Sequence, residues 1–179
     1  MRAIRTTLSV GLMTAALSVF AAPAVASDFV WTYQGNVIEE PKEIELAGEI
    51  KWMMFGSFIE CDVEGDATLE EEGSGQITQF AATDCTAEKN PSCELKSSTS
   101  SVPWSMHVES LKSILIEDLS MSITFKSPCG GPIPLLKTDI HAGFQKPGSI
   151  TDLTLYGGTQ GFWGGELTVS PSEVGIREA

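Results

Sequence analysis

A carboxylate and an imidazole two positions apart form the candidate acid–base pair of this chain, Asp139 and His141. If this segment is a β-strand, both side chains point to the same face, because side chains alternate between faces along a strand. A serine close by would complete the acid, base and nucleophile of a hydrolase. No serine stands in the G-x-S-x-G pattern that presents a nucleophile at a strand-to-helix turn. We therefore keep a hydrolase using this pair as a second alternative and predict that the chain is not an enzyme.

Three acidic residues, Asp62, Glu64 and Asp66, also alternate onto one face of a predicted strand. Gathered carboxylate oxygens could hold Ca²⁺, which takes six to eight oxygen ligands. Their spacing does not match the EF-hand loop, and acidic residues are typical of the solvated face of a half-buried strand, where they discourage edge pairing. We interpret them as such a face and expect neither a metal nor another cofactor.

Four large aromatic residues are candidates for contact with an apolar ligand: Trp52, Trp104, Phe162 and Trp163. The last two lie in the glycine-rich stretch 157–165, which lacks the lysine of a phosphate loop and opens no helix. That stretch is instead typical of a hairpin turn. A barrel-type binding module could hold a small apolar ligand among the three tryptophans, in a pocket with few polar groups. This is the first alternative function.

The segment 52–55 is apolar on both faces of its predicted strand, and Phe58 follows closely. A strand buried on both sides explains the pattern, as does an exposed apolar patch for a ligand or partner. The pattern alone does not separate the two.

The elements that position these residues are predicted to be short strands. Apolar and polar residues alternate with period two, which is typical of half-buried strands. Such patterns cover the following segments: 43–56, 59–65, 104–109 and 119–125, with further strands expected around 28–34, 76–82, 138–144, 150–156 and 165–170. Glycine- and proline-containing turns separate them, and only 109–118 could hold a helical turn. The sequence predicts an all-β fold, a single antiparallel sandwich or barrel.

The beginning of the chain has the features of a secretory signal peptide. Two arginines precede an apolar stretch at 8–22, and residues 24–26 supply the small-x-small cleavage pattern. The apolar stretch is shorter than the roughly 20 residues that a transmembrane helix needs. We expect residues 1–26 to be a signal peptide and 27–179 to be one exported domain, periplasmic, envelope-associated or secreted.

The charge of the chain is strongly acidic, with 11 basic and 24 acidic residues and a net charge of −13. Loss of the predicted signal peptide leaves 9 basic against 24 acidic residues. Such a charge argues against binding nucleic acid or an anionic membrane and favours cations or a basic partner. Acidity alone is also typical of soluble exported proteins.

Four cysteines, Cys61, Cys85, Cys93 and Cys129, all lie in the predicted mature domain. An even number in an exported chain indicates two disulfides, and the absence of a CxxC pair argues against a metal site.

Hairpin geometry indicates how these cysteines pair. If residues 73–75 reverse the chain, Cys61 lies across the ladder from Cys85. Cys93 and Cys129 are symmetric about position 111, between the predicted strands 102–109 and 114–125. The prediction is Cys61–Cys85 and Cys93–Cys129, with a Cys85–Cys93 bridge as the open alternative.

Several short motifs resemble a family of small secreted bacterial β proteins that includes the alkane-oxidation activators associated with biofilm matrix. The motifs are the following: Cys61-x-Val63-x-Gly65, Gly75-Gln76-Ile77-Thr78, Cys85, Val102-Pro103-Trp104, Cys129-Gly130-Gly131 and Leu167-Thr168-Val169-Ser170-Pro171. The resemblance spans about 45–170 and implies a non-enzymatic surface or matrix protein that acts at hydrophobic substrates. It transfers no catalytic residues.

These observations predict a non-catalytic exported protein that works by surface interaction in the cell envelope or extracellular matrix. Such a protein should expose an apolar patch and could self-associate. The sequence does not identify its partner.

Overall fold

The computed structural model describes most of the predicted mature domain. The described residues are 28–54, 57–89, 92–127, 129, 132–134, 138–157 and 163–179. The predicted signal peptide, Phe162 and the side chain of Trp163 lie outside this description.

The described residues form strands almost throughout. In chain order the strands are β1 (Phe29–Tyr33), β2 (Asn36–Val37), β3 (Lys42–Met54), β4 (Ser57–Leu69), β5 (Ser74–Ala87), β6 (Leu95–Ser100), β7 (Trp104–Ser110), β8 (Ser113–Leu119), β9 (Met121–Phe125), β10 (Pro132–Pro134), β11 (Thr138–Gly143), β12 (Asp152–Gly157), β13 (Trp163–Ser170) and β14 (Val174–Glu178). A 3₁₀ turn at Glu71–Gly73 is the helical structure of the described part of the chain. No helix in that part is long and apolar enough to cross a membrane.

Eight of the strands close into an antiparallel barrel: β3, β4, β5, β7, β8, β11, β12 and β13. Each pairs with the next barrel strand along the chain, and β13 returns to pair with β3. The all-β, antiparallel prediction is confirmed, and of the two architectures left open the chain adopts the barrel.

Period-two alternation explains why these segments are strands and which face each buries. In β4, Ile59, Cys61 and Val63 are buried, whereas the intervening acidic residues are exposed. An eight-stranded barrel has an interior just wide enough for side chains to fill. Apolar residues from all around the barrel fill it and leave a cavity of about 20 Å³. That volume has room for about one water molecule.

The two ends of the described chain meet in a small sheet that covers one end of the barrel. β1 pairs with β14 from Phe29↔Glu178 to Tyr33↔Val174. Trp31 projects from β1 into the barrel, is 1% exposed, and donates its indole N–H to the carbonyl oxygen of Ser74 at the start of β5. Its burial couples the ends of the domain to the barrel core.

A second small sheet, called the arm below, consists of β6, β9 and β10. β6 pairs with β9 from Leu95↔Phe125 to Ser100↔Met121. The residue pairs of the β6–β9 ladder are centred on nearly the same sequence position as those of the β7–β8 ladder, in which Val108 lies opposite Ile114. The arm therefore continues the β7–β8 hairpin beyond the barrel.

Both predicted disulfides are confirmed. Cys61 lies directly opposite Cys85 in the β4–β5 ladder and is bonded to it. Cys93 is bonded to Cys129, just beyond the outermost β6–β9 pair. One disulfide thus joins two neighbouring strands of the barrel wall, and the other closes the outer end of the β6–β9 ladder of the arm.

The prediction of a possible helical turn at 109–118 is wrong. β7 ends at Ser110, β8 begins at Ser113, and the two form a tight hairpin. Ile114 and Ile116 are buried on one face of β8, which is the period of a strand. The strands β2, β6, β10 and β14 were not predicted.

The contact between β3 and β13 predicts a position where the smallest added group disrupts the barrel. A Cβ on Gly48 would lie 2.0 Å from the carbonyl oxygen of Glu166. We expect Gly48→Ala to lower the free energy of unfolding by about 3 kcal/mol, because the backbone of the opposite strand must move. Ala47→Ser, at an exposed position of the same strand, is the control and should change stability by less than about 0.5 kcal/mol. Urea denaturation measures both. Equal stability of the two variants would contradict this account of barrel closure.

Candidate functional site

The candidate acid–base pair lies on the outer face of β11, but the two side chains serve different partners. Nδ1 of His141 lies 2.9 Å from Oε2 of Glu109, and the imidazole stacks on Tyr156 with ring centroids 5.6 Å apart. The carboxylate of Asp139 accepts a hydrogen bond from the backbone N–H of Asp118 at 2.9 Å. The carboxylate partner of the imidazole is therefore Glu109, which comes from β7.

The other histidine is paired in the same way. Nε2 of His107 lies 3.0 Å from Oε2 of Glu117 across the β7–β8 ladder, and its side chain is 52% exposed. Within the described part of the chain, neither imidazole is hydrogen-bonded to a serine hydroxyl. Exposed hydrogen-bonded pairs of this kind contribute little to stability. Neither pair assembles an activated serine among the described residues.

The predicted acidic face forms part of a larger row of carboxylates across the barrel wall. Glu49 lies opposite Glu166 on one side and opposite Asp62 on the other, and Asp62 lies opposite Asp84. Like charges at directly opposite positions repel each other. Among the described residues no group of three metal-ligating side chains is arranged to hold an ion. The row gives one side of the barrel a strongly negative surface.

One lysine lies within this negative surface. Nζ of Lys51 is 2.8 Å from a carboxylate oxygen of Glu49 and 3.0 Å from one of Glu60. The hydrogen bond to Glu49, followed by that to Glu60, raises the pKa of Lys51. The hydrogen bond from Lys51 in turn holds the pKa of Glu49 below its ordinary value.

An open groove of about 1610 Å³ runs over the outer face of β3, β12 and β13. Acidic, basic, hydroxyl and aromatic side chains line it, including Glu49, Lys51, Tyr156, Glu166 and Thr168. The sequence did not indicate this groove, because the groove depends on the pairing of β13 with β3, two strands far apart in the chain.

The aromatic ligand candidates do not line a common cavity in the described structure. Trp52 and Trp104 are each 1% exposed, and Trp104 packs against the ring of Phe80 at 5.2 Å between centroids. Trp163 lies opposite Trp52 in the β3–β13 register. The small cavity of the barrel interior is lined by other residues. The described part of the barrel interior therefore has little room for a ligand at the position that the first alternative requires.

Trp104 has an unusual environment for a buried polar group. No hydrogen-bond acceptor among the described residues meets its indole Nε1, although the side chain is almost wholly buried. Buried polar groups in folded proteins are nearly always hydrogen-bonded. This N–H is a feature that the sequence alone could not indicate.

The apolar segment at the β3–β4 connection is exposed in part. Met53 is 43% exposed and Phe58 is 39% exposed, and the two lie directly opposite each other. Their Cβ atoms are thus about 5 Å apart, as in any directly opposed pair, so the side chains form one patch. Trp52, the neighbour of Met53, is buried on the inner face. One face of the segment therefore packs in the core, and the other face exposes apolar side chains to solvent.

Comparison of the chain with protein-family profiles, with curated proteins and with solved structures finds no match.

The ion pairs on the barrel wall predict selective changes in carboxylate titration. Lys51→Met should raise the pKa of Glu49, because the hydrogen bond and charge that favour the carboxylate are removed. In the wild type, the stabilisation by this lowered pKa is present above the unfolded-state pKa and is lost as pH falls through the folded-state pKa. Carboxyl-detected NMR titration measures the shift.

A matched control is Lys126→Met, because Lys126 lowers the pKa of Glu94 in the same way on the arm. Each variant should raise the pKa of its own partner and leave the other unchanged. An unchanged pKa of Glu49 in Lys51→Met would show that this ion pair does not form in solution.

Proposed function

We propose that this chain is a non-catalytic exported protein that works through contacts of its outer surface, in the cell envelope or extracellular matrix, at hydrophobic substrates. The observation that carries the proposal is the exposed apolar patch of Met53 and Phe58 on a barrel whose interior is already filled. Because the barrel interior is filled, binding is expected at the outer surface, and exposed apolar patches mark sites of interaction.

The surroundings of the patch favour an uncharged partner. The barrel wall beside it is acidic, and the whole chain carries a net charge of −13. An anionic surface would be repelled, whereas an uncharged apolar phase would gain contact with both side chains. The two disulfides fit an oxidising compartment such as the periplasm or the cell exterior. Export by a signal peptide and the resemblance to alkane-oxidation activators belong to the same proposal.

The histidine environments support a function without catalysis. Each imidazole is held by a glutamate on the outer wall. A serine hydrolase needs a hydroxyl within hydrogen-bonding distance of its base. On this proposal, His141→Ala leaves the activity of the protein at surfaces unchanged.

The apolar patch predicts the behaviour of a double variant at an oil–water interface. Met53→Ser combined with Phe58→Ser should slow adsorption to a hexadecane–water interface by about tenfold or more and reduce self-association. The reason is that roughly 1–3 kcal/mol of apolar contact is lost for two partly exposed side chains. Drop tensiometry measures adsorption, and sedimentation velocity measures association.

Tyr156→Ser is the control, because Tyr156 is 46% exposed but lies on β12, which β13 separates from β3. It should adsorb like the wild type. If the double variant also adsorbs and associates like the wild type, the patch is not the working surface and the proposal fails.

A further inference from the structure

The exposed ring of Tyr156 is held in one orientation by its neighbours on β11. A Cβ added to Gly143 would lie 2.9 Å from Cε1 of this ring, so the ring rests directly on the glycine. The imidazole of His141 lies opposite Tyr156 in the β11–β12 ladder and stacks on it at an interplanar angle of 19°. His141 is in turn held by Glu109. The ring is therefore positioned before a ligand arrives, which lowers the entropic cost of binding.

The second face of the Tyr156 ring is directed toward β13. β12 lies between β11 and β13, so a ring with His141 on one face has the β13 side on the other. The residue opposite Tyr156 on β13 is Gly164, which has no side chain, and opposite Gly164 on β3 is Lys51. Neighbouring strands are about 4.8 Å apart, so about 10 Å separates the backbones that carry Tyr156 and Lys51. These two side chains therefore flank a slot with a glycine floor.

Polar side chains continue the outer face beyond this slot. Thr154, Glu166 and Glu49 form the next row across the three strands. Asp152 and Thr168 lie opposite each other in the row after it. Among the described residues, the carboxylates of Asp152 and Glu166 take part in no ion pair or side-chain hydrogen bond. Their oxygens are therefore open to a ligand.

The shape and lining of the groove fit an extended chain rich in hydroxyl groups. The groove of about 1610 Å³ is open and follows β12 along all six of its residues, a length of about 20 Å. Its lining combines carboxylate, hydroxyl and amide oxygens, which accept, with the ammonium donors of Lys51 and Lys146. Hydroxyl groups donate and accept, so they match both kinds of group. A sugar chain supplies such hydroxyls together with C–H faces for the tyrosine ring.

We propose that this groove binds a glycan, an extended and uncharged chain of β-linked pyranose units. One sugar ring lies in the slot above Gly164 with its C–H face on Tyr156, and hydroxyl groups of the chain donate to Glu166 and Asp152. In a pyranose with equatorial hydroxyls the axial C–H groups form flat apolar faces, which an aromatic ring with an apolar body can cover. The acidic wall repels an anionic glycan. This site goes beyond the proposed contact with a hydrophobic phase.

The test uses cellohexaose, an oligomer of β-1,4-linked glucose, and isothermal titration calorimetry of the full folded domain. The wild type should bind it saturably and about tenfold or more tightly than maltohexaose, whose α-linkages curl the same sugar units. Tyr156→Ser removes the ring and should weaken binding about tenfold. Tyr156→Phe keeps the ring and should restore most of the affinity.

A second variant tests the carboxylate beside the slot. Glu166→Ala should weaken cellohexaose binding about tenfold, because hydrogen bonds to a charged acceptor are lost. Glu45→Ala is the matched control, since Glu45 is an exposed carboxylate of the same wall that does not line the groove. It should bind like the wild type. Because the glycan is uncharged, its affinity should also be the same at low and high salt.

Absence of saturable cellohexaose binding by the wild type would overturn the proposal, as would equal binding of maltohexaose or undiminished binding by Tyr156→Ser. If Tyr156→Ser does not fold, Glu166→Ala decides, and equal affinities of Glu166→Ala and Glu45→Ala would overturn it. Saturable binding of hexa-arginine in place of cellohexaose, lost at high salt, would assign the groove to a basic peptide instead.

The glycan site and the apolar patch are tested separately. The variant Met53→Ser with Phe58→Ser should bind cellohexaose normally, because neither residue lines the groove. Tyr156→Ser should lose cellohexaose binding but adsorb to hexadecane like the wild type. Failure of glycan binding is therefore distinguishable from failure of the surface-contact proposal.

Discussion

Closure of the sheet between β3 and β13 is the constraint on which the rest of this structure depends. Eight antiparallel strands enclose an interior that only side chains can fill, so each inward position has to match its neighbours in volume. The closing strands approach closely at Gly48 and Gly165, where an added Cβ would meet a carbonyl oxygen of the opposite strand. Once the barrel is closed and filled, polar chemistry is confined to its outer wall and its ends.

The end of the barrel and the edge of the arm are protected in different ways. Trp31 covers one end, and its strand β1 pairs with β14, so the barrel core and the two ends of the described part of the chain stabilise each other. The arm continues from the β7–β8 hairpin, and its strand β10 carries Pro132 and Pro134. Prolines lack a backbone donor and discourage strand addition. Addition of a partner strand at this edge of the arm is therefore disfavoured.

Local patterns predicted the features that follow from strand period and hairpin symmetry. Alternation identified the buried faces of β4 and β7, and symmetry about the hairpin turns identified both disulfides. The candidate site was harder to predict from the sequence, because its contacts join strands that are distant in sequence. His141 is paired with Glu109, 32 positions away, rather than with the nearby Asp139, since the register between β7, β8 and β11 decides which side chains meet. The hydrogen bonds of Ser98 and Ser100 in β6 with the backbone of β5 likewise depend on where β6 lies along β5.

The barrel interior is filled by the protein's own side chains, and the proposed function places binding outside that core. Methyl NMR of the protein titrated with octane distinguishes the two locations, because Leu46, Ile114 and Leu153 all line the interior cavity. If binding is confined to the outer surface, these methyl resonances stay unshifted up to octane saturation. A saturable shift of these methyl resonances would show instead that the barrel interior admits a ligand.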